Sequence, residues 1–214
     1  MSSPEPATYL PSHLPLHEAL LLAVLAAPGS TVPRRRSREL EYALAAAVLL
    51  ELERARRISV LWDQVLVVDA SAAADAVSDR WLERLILSER ARRVQAWLGV
   101  ATDGTLSAVR DQMLMAGRLV QVRRSRFGLF PTVDHEPADR RAAARIAALV
   151  EEADRAGGSP FADVGALAVL LRAARLSPRR ALAKEVCAPS PLDIVAQALS
   201  QEVAAASVPL AFGG

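Results

Sequence analysis

The stretch LHEALLLAVLAAPG, beginning at Leu16, is apolar at almost every position until Pro28 and Gly29 stop it, and it predicts a first helix. After the polar linker STVPRRRSREL, Leu40, Leu44, Val48 and Leu52 recur every four positions and predict a long helix over about 38–56 with an apolar stripe. RISVLWDQVLVVDA reads as two short strands meeting near Trp62 and Asp63. Residues from about 77 to 101 predict one or two helices with Trp81, Leu85, Val94 and Trp97 in the core, and Gly104 breaks that pattern. A helix to about Ala116, capped by Gly117, then leads into strands at 118–122 and about 127–133 with a turn between them. Past Pro137 the pattern is helical at about 137–156, 161–175, 177–186 and 190–206, with GGSP, SP and APSP as the breaks. The expected fold is mostly α: a single helical domain over 14–206 with a prominent β-hairpin and a few short strands. A disordered Pro- and Ser-rich tail is expected at 1–13, and a C-terminal tail at 207–214.

Composition sharpens this picture. Apolar residues make up 52% of the 214 positions but aromatics only 4%, so the interior must be built from Leu, Val and Ala, which suits helices. The formal charge is only +2, so any basic site must come from clustering. A lone cysteine, Cys187, excludes an internal disulfide and fits a reducing cytosol, and it is expected in the core. The longest apolar run, Ala19 to Ala27, is about half of what a bilayer-spanning helix requires. The first residues lack the basic start and apolar run of a signal peptide or anchor, so a membrane would be met from outside the bilayer, at its cytoplasmic, inner face.

Catalytic chemistry finds no carrier. The three histidines are His13, His17 and His135; Pro15 breaks any helical face shared by the first two, and all three are expected in solvent rather than on a metal. No phosphate-cradling glycine motif or nucleophile elbow is present. Glu51 and Glu53, like Glu151 and Glu152, are expected as surface charges. The sequence therefore predicts no enzyme, no catalytic residue, no metal and no cofactor.

Two arginine clusters remain. Arg34, Arg35, Arg36 and Arg38 lie where the chain enters a helix, where guanidinium forks and backbone N–H groups converge on an anion. Arg123, Arg124 and Arg126 are expected at the hairpin turn beside Phe127, Leu129 and Phe130. That mixture suits a bilayer boundary, with apolar groups at the acyl edge and guanidinium groups among lipid phosphates. A protein-docking adaptor, or self-association through the hairpin, would use the same groups. Helix, strand, basic turn and strand also describe a winged-helix nucleic-acid binder, but the helix at 105–116 offers only Arg110 and carries Asp111 beside it.

The order of LPLHEALLLAVLAAPG, ALAAAVLLELERARRISV, the segment VRDQMLMAGRLV running into FGLFPTVDHEP, and DVGALAVLLRAARL resembles the Golgi phosphoprotein 3 family, which has bacterial, especially actinobacterial, members. The resemblance covers about residues 14–206. It implies a mostly helical peripheral membrane protein that recognises phosphatidylinositol 4-phosphate in a basic pocket beside a hydrophobic hairpin. It also implies self-association and client proteins, since eukaryotic members retain glycosyltransferases in the Golgi. Phe127, Leu129 and Phe130 fall at the family's apolar hairpin, and Arg126 is expected to meet the membrane beside them. The family's pocket tryptophan falls near Arg36 and its pocket arginines near Ala45, Asp103 and Leu106, so the pocket itself is not reproduced. Headgroup contacts are then expected from Arg35, Arg36, Arg38, Arg123 and Arg124.

Overall fold

The computed structural model describes residues 14–26, 37–88, 92–101, 104–126, 130–177 and 190–207. Eight helices occur among them: α1 (Leu16–Leu25), α2 (Ser37–Arg54), α3 (Ala76–Leu87), α4 (Val94–Ala101), α5 (Thr105–Met115), α6 (Arg140–Ala156), α7 (Ala162–Ala173) and α8 (Pro191–Ala206). Five strands join them: β1 (Ile58–Leu61), β2 (Gln64–Val67), β3 (Arg92–Arg93), β4 (Leu119–Arg126) and β5 (Phe130–Pro137). The protein is mostly α, as its pattern predicts.

The centre is α2. Its predicted stripe of Leu40, Leu44, Val48 and Leu52 is buried, and so are Tyr42, Leu49, Leu50 and the run Ala43 to Ala47. The helix packs against α1, α3, α4, α5, α7 and α8, so it is enclosed on all sides rather than on one stripe. Its alanines let those neighbours approach closely. Arg56 at the C-terminal end adopts a positive φ, and Arg57 N–H reaches back to Leu52 O, which closes the helix without a glycine. Glu51, expected on the surface, is half-buried and accepts the Leu16 N–H at 3.1 Å, tying the start of α1 to the end of α2.

Elsewhere local chemistry sets the boundaries. Asp75 caps α3 by accepting from Val77 and Ser78 N–H, and Asp139 caps α6 from Arg141 and Ala142 N–H. Ser190 and Asp193 form a capping box on α8, with Pro191 in the first turn. The predicted stretch 77–101 resolves into α3 and α4 with β3 between them. On α6, Ala143, Ile146, Val150 and Ala153 make the buried face. Beneath them Asp154 is held by Arg172 of α7 and by the Ser177 hydroxyl at 2.6 Å. The tails, the stop at Pro28 and Gly29, Cys187 and, beyond Ser177, the helix expected at about 177–186 lie outside the described residues.

β1, β2 and β3 form an antiparallel sheet in that order, with Ile58 opposite Val67, Leu61 opposite Gln64, and Gln64 also opposite Arg93. β4 and β5 form a separate hairpin, from Leu119 opposite Pro137 to Arg126 opposite Phe130. This hairpin is longer than predicted. Arg123, Arg124 and Arg126 lie within β4 rather than at the turn, because the ladder to β5 extends the strand past the apolar positions. β5 correspondingly runs to Pro137, and α6 begins only at Arg140.

Candidate functional site

Two eight-residue strands make the β4–β5 hairpin about 24 Å long. Its root is embedded. Leu119 and Pro137 are buried, and α1, α5 and α6 pack against the two strands. Gly117, at positive φ, turns the chain out of α5, and Arg118 N–H bonds Met113 O at 2.8 Å while Arg118 O accepts from Ala138 N–H at 2.9 Å. Further out, Val120, Gln121, Arg123 and Val133 are exposed. The two strands therefore run from an embedded base to exposed positions at Arg123 and Val133.

That base is polar and buried. Glu18 is fully enclosed and forms an ion pair with Arg118, and its Oε1 accepts from Gln112 Nε2 at 2.7 Å. Gln112 Oε1 accepts the Val77 N–H at 3.0 Å, which links α1, α5 and β4 to the start of α3. His17 closes the cluster, its Nε2 3.4 Å from Gln112 Nε2 and 3.6 Å from Asp75 Oδ1. His17 was expected in solvent and is instead wholly buried, because α1 is apolar around its whole circumference and carries its polar residues inside with it. That all-round apolarity was the available signal. Burial lowers the His17 pKa, with Asp75 and Glu18 opposing and Arg118 assisting.

His135, opposite Gln121 on β5, is half-buried rather than exposed, and burial with the charge of Arg110 lowers its pKa. Arg110 itself is half-buried on α5, with its Nε buried and unbonded and Glu41 as its electrostatic neighbour. The exposed stripe of α5 is Ser107, Asp111 and Met115, which carries no cation.

The predicted binding residues are spread out. Arg38 is exposed on the first turn of α2, its guanidinium 5.9 Å from the Tyr42 ring centroid. Arg123, which is exposed, stands opposite Val133 in the ladder, and Arg124 opposite Thr132. Arg126 and Phe130 form the outermost pair of the ladder. Arg34, Arg35, Arg36, Phe127 and Leu129 lie outside the described residues.

This order of elements, with a long hairpin between α5 and α6, is accompanied by a family-wide match: the model for Golgi phosphoprotein 3 (GPP34) covers residues 16–207. The chain belongs to the Golgi phosphoprotein 3 family. No curated protein matches it. In this member of the Golgi phosphoprotein 3 family, two of the three positions expected to align with pocket arginines are core: Ala45 and Leu106 are both buried, and an arginine at either would need a cavity that packing has filled, while Asp103 lies outside the described residues. No helix among the described residues is long and apolar enough to cross a membrane.

Proposed function

We propose that this Golgi phosphoprotein 3 family protein is a non-enzymatic peripheral membrane protein that binds anionic phospholipid at the cytoplasmic, inner face of the membrane. Phosphatidylinositol 4-phosphate is the ligand the family suggests. The supporting observation is the β4–β5 hairpin, rooted in the core at Leu119 and Pro137 and carrying Arg123 outward on a strand that ends in the segment RFGLF. Arginines at 123, 124 and 126 supply attraction to phosphates, and Phe127, Leu129 and Phe130 supply apolar groups for the acyl boundary. Arg35, Arg36 and Arg38 add a second basic set. With Ala45 and Leu106 in the core, headgroup recognition rests on these arginines rather than on a family pocket.

Vesicle sedimentation at low and high salt tests this. Wild type should pellet with phosphatidylcholine vesicles containing phosphatidylinositol 4-phosphate or phosphatidylglycerol and not with phosphatidylcholine alone. Replacing Arg123, Arg124 and Arg126 together with Ala should weaken partitioning by about 100-fold, at ~1 kcal/mol for each cation near an anionic leaflet. A wild type that ignores anionic vesicles at low salt overturns the reading. Phe127→Ala with Phe130→Ala should also reduce pelleting; unchanged pelleting would give those rings to self-association or a client protein. The nucleic-acid alternative lacks support, since the exposed stripe of α5 has no cation to offer a groove.

A further inference from the structure

The outer face of the β1–β2 hairpin is unexplained by that reading. Ile58, Val60 and Val65 face the core and are buried. An antiparallel sheet with one side in water is expected to be polar on that side. Here the outward positions include Leu61 and Leu66, continued by Val68, which are 51%, 40% and 64% exposed. Trp62 occupies the two-residue turn and is 92% exposed. Its φ is +51° and that of Asp63 is +70°, a conformation in which Asn, Asp or Gly is usual and a bulky residue is an outlier. Almost none of the indole is packed, so its presence at this strained tip does nothing for the core.

Charge accompanies the apolar face. Arg93 pairs in register with Gln64 and is exposed, and its Nε lies 3.8 Å from Asp63 Oδ2, which holds a guanidinium one residue from the indole. An indole has an apolar body and one N–H donor, the combination that seats at a headgroup boundary, and a guanidinium beside it finds lipid phosphate. We infer that the β1–β2 hairpin is a second membrane contact, with Trp62 and Leu61 entering the headgroup–acyl boundary of an anionic leaflet and Arg93 on its phosphates. This inference rests on the membrane function proposed above and extends it from one attachment point to two.

The protein carries its own probe. Of its three tryptophans, Trp81 and Trp97 are buried, so vesicle-induced emission changes that Trp62→Phe abolishes belong to Trp62. With the full chain and phosphatidylcholine–phosphatidylglycerol vesicles, Trp62 emission should shift to the blue, and lipids brominated on the acyl chain should quench it. Trp62→Ser should weaken partitioning by about tenfold, the effect of losing burial of one large side chain. Sedimentation with vesicles while Trp62 emission neither shifts nor is quenched would overturn the second contact and leave the proposed function standing. Absence of sedimentation would overturn both. Shielding of Trp62 from acrylamide without vesicles, rising with protein concentration and accompanied by dimer mass in light scattering, would assign this face to a second copy and also overturn the proposal.

Discussion

His17 and Glu18 are adjacent, both wholly buried, and held differently. Glu18 has Arg118 and Gln112, whereas His17 meets Gln112 and Asp75 only at Nε2 and its buried Nδ1 has no hydrogen-bond partner. Because burial lowers the His17 pKa, the unfolded chain takes up a proton near its ordinary value that the folded chain refuses. Stability from this residue is thus fully present above about pH 6.5 and declines as pH falls below it. His17→Leu should flatten the difference between urea midpoints measured around pH 5.5 and around pH 8, and should raise the lower one. Arg118→Met acts oppositely: an enclosed carboxylate loses its counter-charge, at a cost of about 3 kcal/mol, read as a lower urea midpoint with the slope retained. None of this cluster could be found from spacing. Its members come from positions 17, 18, 75, 112 and 118, and only the tertiary fold unites them.

At the scale of elements, helices were legible wherever apolar residues recur with helical period, but their N-terminal caps were not: α6, expected from about 137, starts only after Asp139. Asp139→Ala should cost about 1 kcal/mol by loss of two accepted N–H bonds, measurable as a reduced midpoint. The extent of β4 was not legible. VRRSR has no apolar alternation, and what keeps it extended is the backbone ladder to β5, which a side-chain pattern does not encode. The strands meeting at Trp62 and Asp63 were visible, but the exposure of Leu61, Leu66 and Val68 was not, since apolar alternation ordinarily signals burial.

At the scale of the molecule, the order of helices and hairpin carried the family assignment, while the candidate site stayed dispersed, with Arg38 on α2 and Arg123 and Arg124 on β4. The lipid binding proposed for such scattered cations should be additive and salt-sensitive rather than pocket-like. The enclosure of α2 has a further consequence in the currency of amide hydrogen exchange. With neighbours on every side, the amides from Leu44 to Leu50 can open only when the whole protein does, so their exchange should be the slowest and should follow global stability. Amides of the outer hairpin need only local fraying. Exchange mass spectrometry should therefore show two clocks in one chain. Anionic vesicles should slow the hairpin clock and leave that of α2 unchanged, so that the surface responds to its surroundings while the centre registers only the fold.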